Sequence, residues 1–431
     1  MGLEDDGSSV EDAPSYGQYQ LQIYAQGIFG GVKPAITTDP NKLREQAQKA
    51  MSPEAFNYIA GGAGEGATVD ANRLAFRQWK IVPRMLRPTV PRDLKVELFG
   101  RTYQTPILQA PVGVQSVYHA DREIGTASAC AELGVPYIMS TALSSTIQEV
   151  ASALGGGPGF DGGPPPWFQL YWPVDDEITG SILQTAQAAG FEVLVVTLDT
   201  ATMSWRPADL DRTFLPFIEG IGNAVGFADP VFRRKFAEQQ AAENENDGTT
   251  ATPEDNVAEA SRYWIREAFS GDSHPWRDLA LLRRHWGNKP IVLKGIQDPR
   301  DAVLALQAGM DGIVVSNHGG RQCDGAAASL DMLPEIVDAV GDRMTVLFDS
   351  GIRTGADVFK ALSLGAKAVL FGRPVMYGLG LGGKDGARHV LASILADLDQ
   401  TLGLAGVKSV SELNKTNLRR VSYPGDIKSS L

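Results

Sequence analysis

Residues 344–373 read MTVLFDSGIRTGADVFKALSLGAKAVLFGR and contain one complete structural unit. An apolar, β-branched run at 344–348 predicts a buried strand, and a second run at 368–371 predicts another. Between the two runs, Thr354 and Asp357 have the spacing of a capping box at the start of an amphipathic helix. The order strand, helix, strand predicts a βαβ unit of a parallel sheet.

The same unit repeats along most of the chain. Apolar runs, each followed by a helical pattern, occur at 107–112, 137–140, 167–171, 193–198, 291–294, 312–316, 344–348 and 368–371. Eight strand–helix pairs predict an α/β fold, the (β/α)₈ TIM barrel. The predicted domains are an N-terminal helical and β-ribbon extension at 1–106, a barrel at 107–405 and a C-terminal tail at 406–431.

Two segments outside the repeat have recognisable patterns of their own. Within the N-terminal extension, helices are expected at 41–51 and 53–60, and a β-ribbon near 80–99 is expected to cover the base of the barrel. The stretch at 155–166 is nearly all Gly and Pro, which predicts an irregular loop before the third strand. Connections at that position lie on the bottom face of a barrel, away from catalysis.

A long insertion at about 207–273 separates the fourth strand from its helix. Connections that follow barrel strands emerge on the face where active sites lie, so we expect a lid or an oligomer contact. The acidic, polar middle at 243–250 predicts mobility. The alternative is an insertion without any catalytic part.

Composition excludes several classes of protein. Thirty-nine basic and 51 acidic residues give a net charge of −12, which disfavours nucleic acid and anionic membranes as partners. The two cysteines, Cys130 and Cys323, and five scattered histidines predict neither a disulfide framework nor a metal site. An acidic N-terminus without an apolar run predicts a cytoplasmic protein. The ending Ser429-Ser430-Leu431 leaves a peroxisomal location as the weaker alternative.

Polar residues concentrate where the predicted strands end. Because these ends converge on one mouth of a parallel barrel, the side chains are expected to form one site. They are Gln169 and Tyr171 at the end of the third run, Thr197 and Asp199 at the end of the fourth with Arg206 beyond, Lys294 at the end of the fifth, and residues 316–321, 349–353 and 372–373 at the ends of the last three.

The ends of the last two strands have the composition of a phosphate site. Ser350, Gly351 and Gly372 allow backbone N–H groups to approach an anion, and Arg353 and Arg373 add charged donors. A phosphorylated ligand or cofactor is therefore expected. The alternative is a pair of ordinary glycine turns beside surface arginines.

His318 and Arg321 follow the sixth strand, three residues apart. Arginine binds a carboxylate through two hydrogen bonds, and a neutral imidazole acts as a base near neutral pH. Asp199 would stabilise the imidazolium that forms, and Lys294 in the barrel mouth requires a negatively charged partner. These residues predict an anionic substrate that loses a proton; a purely structural histidine is the alternative.

The motifs at these positions resemble those of a known family, the FMN-dependent L-2-hydroxy acid oxidases and dehydrogenases. The resemblance extends from about residue 43 to 374. Its motifs are YIAGGAGEG (58–66), TLDT (197–200), SNHGGRQ (316–322), FDSGIRTGADVFKALSLGA (348–366) and FGRPV (371–375). The phosphate signature alone also resembles that of inosine-monophosphate dehydrogenase and related barrels.

The resemblance implies that FMN lies across the barrel mouth. Lys294 would stabilise negative charge on the reduced flavin, and the last two strand ends would bind the phosphate. The implied cofactor-binding residues are Ala110, Pro111, Val112, Gly113, Ser140, Gln169, Thr197, Lys294, Ser316, Asp349, Ser350, Gly351, Arg353, Gly372 and Arg373.

The resemblance also assigns roles toward the substrate. Arg321, Arg206 and Tyr58 would bind its carboxylate, and Tyr171 would form a hydrogen bond with its oxygen. His318 would take a proton, with Asp199 orienting it. The implied catalytic residues are His318, Asp199, Tyr171 and Arg321.

Members of the family differ in what reoxidises the flavin. No haem-binding domain or membrane-anchoring insertion is recognised here, so O₂ is the expected acceptor. Gly113 and the long insertion resemble lactate 2-monooxygenases, which turn lactate into acetate, CO₂ and water. An oxidase that releases the 2-oxo acid and H₂O₂ is the alternative, and Ala142 leaves room for larger substrates. The resemblance further implies a homotetramer.

The alternative from another functional class is a barrel that binds a phosphorylated ligand without redox chemistry.

Overall fold

The computed structural model describes residues 15–155, 165–243 and 252–421. The predictions for the Gly/Pro loop and for the acidic middle of the insertion lie almost wholly outside these ranges. The chain begins with helices α1 (Gln18–Gly30), α2 (Pro40–Ala50), α3 (Pro53–Ala60) and α4 (Ala67–Gln78), followed by short strands β1 (Trp79–Ile81), β2 (Val96–Leu98) and β3 (Arg101–Tyr103).

Eight parallel strands then form the barrel, which confirms the predicted fold. They are adjacent in the order β4, β11, β10, β9, β8, β7, β6, β5. A parallel bridge between Gln109 and Tyr137 joins the first and last of them and closes the ring. The strands are β4 (Ile107–Gln109), β5 (Ile138–Met139), β6 (Trp167–Leu170), β7 (Val193–Thr197), β8 (Ile291–Ile296), β9 (Gly312–Val315), β10 (Thr345–Phe348) and β11 (Ala368–Phe371).

Helices surround the barrel and follow its strands. The predicted capping box is present, since the Thr354 hydroxyl accepts from the Asp357 N–H and the Asp357 carboxylate accepts in return. From residue 122 onward the helices are α5 (Arg122–Leu133), α6 (Ile147–Ala153), α7 (Asp176–Ala188), α8 (Pro207–Leu210), α9 (Ala224–Ala228), α10 (Pro230–Glu243), α11 (Val257–Ala268), α12 (Leu279–Trp286), α13 (Pro299–Gln307), α14 (Ser329–Val340), α15 (Gly355–Ser363) and α16 (Arg373–Ala405).

A β-hairpin covers the base of the barrel. β2 and β3 pair through a two-residue turn in which Phe99 and Gly100 both have positive φ, as hairpin turns require. The Trp167 indole donates to the Tyr103 hydroxyl at 3.1 Å, so the hairpin seals one end of the core. The predicted ribbon was wrong in its extent, because β1 pairs instead with β12 (Leu418–Arg420) from the C-terminal tail.

The insertion after β7 is helical over its described part, which contains α8 to α11. Its helices share a small aromatic core in which Phe232 meets Trp264 edge to face, 5.5 Å between ring centres. Gly226 lies so close to the Trp264 ring that an added Cβ would approach it to 2.5 Å. This packing gives the described part of the insertion a small core of its own.

Among the described residues, no helix combines the length and the apolar character that crossing a bilayer requires. Within the same ranges, no three His, Cys, Asp or Glu side chains are grouped so that they could share a metal ion.

Candidate active site

A cavity of about 1040 Å³, including solvent at its opening, lies at the C-terminal ends of the barrel strands. The predicted site residues that line it are Tyr58, Ala110, Pro111, Val112, Gly113, Tyr171, Arg206, Lys294, His318, Arg321, Asp349, Ser350, Gly351, Arg353, Gly372 and Arg373. The volume is that of a site for a cofactor-sized ligand. The parallel strands thus bring together residues that lie far apart in the sequence.

His318 sits in a strained turn directly after β9. Its φ of 57° is in the left-handed region, which non-glycine residues seldom adopt. The Ser316 hydroxyl accepts from the His318 N–H at 3.0 Å, and the Ser350 hydroxyl accepts from the Gly319 N–H at 3.0 Å. These bonds hold the histidine against the end of the neighbouring strand.

The imidazole of His318 is paired with a carboxylate. Its Nδ1 lies 2.7 Å from Asp199 Oδ1 and 3.1 Å from the Thr200 hydroxyl. Burial lowers the pKa of His318 below its ordinary value, although Asp199 acts in the opposite direction. Neutral His318 can therefore accept a proton on Nε2, and Asp199 would stabilise the resulting charge.

Lys294 lies at the end of β8 with only 4% of its side chain exposed. Its ammonium is 3.4 Å from Asp349 Oδ2 and 3.8 Å from Asp199 Oδ2, and it donates to the Ser316 hydroxyl at 3.1 Å. Burial disfavours the charged ammonium, but the two carboxylates outweigh burial and raise the pKa of Lys294. Burial likewise opposes ionisation of Asp199, yet Lys294 and His318 hold its pKa below the ordinary value.

Two arginines face the cavity on the side of His318. Arg321 stacks over the Tyr58 ring at 5.4 Å and donates to the Gly61 carbonyl at 2.9 Å. Arg206 donates to the Arg321 carbonyl at 3.1 Å, and burial together with Arg321 lowers its pKa to about 10. Arg206 remains a cation at neutral pH, and the two guanidinium groups together can bind a carboxylate.

Aromatic side chains of the insertion border the same cavity. Phe269 packs against Tyr171 with 5.0 Å between ring centres, and Phe217 packs against Phe269 at 5.3 Å. Burial raises the pKa of Tyr171 to about 12, so its hydroxyl stays protonated as a donor. The insertion therefore supplies an apolar wall beside a polar catalytic group.

Two further arginines, Arg353 and Arg373, line the cavity. Burial, with Arg321 nearby, lowers the pKa of Arg373 to about 9, and burial is also the main cause that lowers the pKa of Arg353. Ser350 and Gly351 both have positive φ, and a Cβ on Gly351 would lie 2.9 Å from the Asn72 carbonyl. Two half-buried arginines beside a tight backbone turn are therefore available at the predicted phosphate site.

Four predicted flavin contacts do not line the open cavity. Ser140, Gln169, Thr197 and Ser316 are buried at the ends of the barrel strands. The Ser140 hydroxyl donates to Gln169 Oε1 at 3.0 Å, which leaves Gln169 Nε2 buried without a partner among the described residues. An unpaired buried donor at this place fits a ring system with carbonyl and nitrogen acceptors. The residues present therefore fit FMN.

Sequence reasoning missed several cavity residues. Thr200 lines the cavity and lies in the TLDT motif at a strand end, so its position in the motif could have identified it as a site residue. Phe217 and Phe269 belong to the insertion, and Tyr118 and Met203 belong to loops, so no local pattern marks them as site residues. Their contribution depends on tertiary packing alone.

Comparisons with known proteins agree with this geometry. The chain matches the family model described as FMN-dependent dehydrogenase over residues 47–420. It is 53% identical to the FMN-dependent alpha-hydroxy acid dehydrogenase qulF of Penicillium citrinum, over 97% of this chain and 99% of the relative. It is 39% identical to an L-lactate oxidase of Lysinibacillus sphaericus, over 84% of this chain and 88% of the relative.

A solved structure of mandelate oxidase with (S)-4-hydroxymandelic acid superposes with a TM-score of 0.74 at 37% identity. It covers 89% of this chain and 98% of its own. These matches confirm the resemblance seen in the sequence and FMN as the cofactor. The chain therefore belongs to the FMN-dependent dehydrogenase family, as an FMN-dependent α-hydroxy acid oxidoreductase.

Proposed function

We propose that the chain oxidises a short L-2-hydroxy acid with O₂ and converts L-lactate to acetate, CO₂ and water, the reaction of a lactate 2-monooxygenase. One observation carries the proposal. His318, paired with Asp199 at 2.7 Å, faces a cavity that also contains Arg206 and Arg321 beneath a helical insertion.

In this proposal the substrate is fixed at both of its oxygen-bearing groups. Arg321 and Arg206 bind the carboxylate, and the Tyr58 hydroxyl adds a hydrogen bond to it. The Tyr171 hydroxyl donates to the oxygen on C2. This binding orients the C2 hydrogen and hydroxyl toward His318. The entropy of positioning is then lost on binding and does not add to the barrier of the chemical step.

His318 then takes a proton on Nε2 while Asp199 stabilises the imidazolium at Nδ1. The same pair serves for removal of either the Cα proton or the hydroxyl proton. FMN, when bound, supplies a two-electron acceptor that O₂ can reoxidise. Lys294 is the cation available to balance negative charge on the cofactor, and Arg353 and Arg373 are available for its phosphate.

The fate of the product depends on the insertion. Phe217 and Phe269 line the cavity beside Tyr171 and would slow the departure of pyruvate. Pyruvate that stays beside H₂O₂ is decarboxylated to acetate, CO₂ and water. Exclusion of bulk water also protects this coupled step.

A simple oxidase that releases the 2-oxo acid and H₂O₂ is the second candidate. Relatives named L-lactate oxidase and 2-hydroxyacid oxidase favour it. The binding and proton-transfer residues would be the same in both candidates. They differ only in whether the 2-oxo acid leaves before peroxide reacts with it.

Anaerobic titration of the yellow holoenzyme tests the substrate assignment. L-lactate should bleach the flavin absorbance, whereas D-lactate should leave it unchanged because its C2 hydrogen and methyl group would exchange places when the carboxylate and hydroxyl are bound. Failure of L-lactate and of other L-2-hydroxy acids to bleach the flavin would contradict the proposal.

Arg321→Lys keeps the positive charge but removes the planar fork that binds a carboxylate through two hydrogen bonds. Loss of one charge-assisted hydrogen bond should lower kcat/KM for L-lactate by about 10- to 100-fold, mainly through KM. Arg212→Lys, at an exposed arginine paired with Glu54, is the matched control. An Arg321→Lys enzyme with unchanged kcat/KM would remove Arg321 from substrate binding.

The pH profile of kcat/KM should show a plateau bounded by two of these groups. His318 must be neutral to accept a proton, and burial lowers its pKa below the ordinary value of an imidazole, so activity should fall only in acid, below the pH at which a free histidine titrates. Arg206 must be charged, and its pKa of about 10 sets the alkaline limb. An acid limb above pH 7 that appears in the profiles of both kcat/KM and kcat would contradict the assignment of His318.

Gly113→Ala tests the control of product release. An added Cβ would overlap the Ala142 carbonyl oxygen and come within 2.7 Å of the Ala142 Cβ. The clash should displace Ala142 and weaken the bond of 2.8 Å from the Val114 N–H to the Ala142 carbonyl. We expect a looser cavity, with less acetate and more pyruvate and H₂O₂ per lactate consumed. An unchanged acetate yield would show that Gly113 does not govern the partition.

A further inference from the structure

The N-terminal helix α1 has an apolar stripe that the described chain does not cover. Its large side chains project into solvent at the spacing of one helix face. The exposed fractions are 65% for Leu21, 57% for Tyr24, 71% for Ile28, 87% for Phe29 and 62% for Val32, which follows the helix. Stripes of this kind mark interaction sites.

The contacts of α1 with its own barrel are few. None of its 13 residues is buried in the described chain. The Tyr19 hydroxyl lies 2.7 Å from His389 Nδ1 on α16, and an open groove lined by Ile23, Val390 and Ile394 separates the two helices nearby. A helix of this length is marginal in water without packing. A further contact surface would therefore stabilise α1.

Charge identifies the kind of partner. Residues 16–32 contain no charged side chain, although the chain as a whole is 21% charged with a net charge of −12. Helices that lie on membrane surfaces are rich in Lys and Arg, which α1 lacks. Two copies of an acidic chain repel each other electrostatically. This repulsion is weakest where the facing surfaces carry no charge, as on α1.

We propose that α1 is a self-association helix that packs against α1 of a second copy. The stripe is self-complementary in an antiparallel pair, as a two-fold contact requires. Leu21 would then lie opposite Ile28 and Phe29, with Tyr24 and Ala25 near the two-fold axis. α1 precedes the segment matched by the family model, residues 47–420, so this contact is independent of the catalytic barrel.

The first test measures the mass of the full-length, FMN-loaded enzyme by light scattering after size exclusion. Replacement of Ile28 and Phe29 by Lys should halve the mass and leave FMN content and L-lactate turnover within two-fold of the wild type. Gln26→Lys, which adds charge to the same helix outside the stripe, should keep the wild-type mass. A monomeric wild type, or an unchanged mass in the double variant, would overturn the proposal.

A second test identifies the occupant of the stripe. Ala25→Cys should form a disulfide-linked dimer under mild oxidation, whereas the wild type with its exposed Cys323 should not. Absence of the linked dimer would overturn the antiparallel pairing. Binding of the wild type to neutral phosphatidylcholine vesicles, lost when Ile28 and Phe29 are replaced by Lys, would assign the stripe to a membrane and overturn self-association.

Discussion

His318→Ala should lower the rate of flavin reduction by L-lactate by about 10²- to 10⁴-fold, the contribution of a positioned general base. The imidazole is the proton acceptor in the proposed reaction, and its Nδ1 is already occupied by Asp199 at 2.7 Å. Because the side chain contributes no contact with the FMN phosphate in the proposed arrangement, the variant should retain FMN and remain yellow. Anaerobic stopped-flow absorbance measures the reduction step directly.

The control for this variant is His285→Ala, at a histidine on the outer helix α12 that does not line the cavity. It should reduce the flavin at the wild-type rate. A His318→Ala enzyme that binds FMN and also reduces it at the wild-type rate would remove His318 from the base role. Loss of FMN from the variant would instead indicate a structural role.

Lys294→Met should have the largest effect on stability. The substitution leaves the carboxylates of Asp199 and Asp349 buried without their cation, which lies 3.8 and 3.4 Å away in the native chain. Breaking a buried ion pair in this way costs about 3–5 kcal/mol of the free energy of unfolding. Denaturant unfolding of the FMN-loaded enzyme measures the loss, and the FMN content should fall as well.

Lys384→Met is the matched control, since Lys384 forms an exposed ion pair with Glu132 that contributes about 0–1 kcal/mol. The pH dependence separates a charge effect from a packing effect. Protonation of the stranded carboxylates removes the penalty, so the deficit of Lys294→Met should shrink as the pH falls. A deficit that stays constant with pH, or one no larger than that of Lys384→Met, would contradict the role of Lys294 as their counter-ion.

The barrel could be predicted because its signals are local. Each barrel strand is a short buried run, and several helices have side-chain caps, such as Asp298 before α13 and Thr354 before α15. The β-ribbon was placed wrongly because β1 pairs with β12 from the other end of the chain. A pairing between such distant segments leaves no local pattern.

The residues of the candidate site divide in the same way, into those with a local sequence signal and those that depend on contacts between distant segments. His318 and Arg321 follow β9 and Lys294 lies in the C-terminal half of β8, so the parallel register alone brings them to one mouth. Phe217 and Phe269 reach the cavity through the path of a long insertion, which no periodicity specifies. The close approach of Gly113 to Ala142 joins two separate loops, so only the structure explains what an added methyl group would meet there.

The most direct test of the proposed reaction is a product balance for aerobic turnover of L-lactate by the FMN-loaded enzyme. Acetate, pyruvate and H₂O₂ are quantified together against the O₂ consumed. We expect one acetate per O₂ and almost no H₂O₂, because the insertion retains pyruvate until peroxide has reacted with it. Pyruvate and H₂O₂ in equal amounts, without acetate, would contradict the monooxygenase assignment and make the enzyme an oxidase.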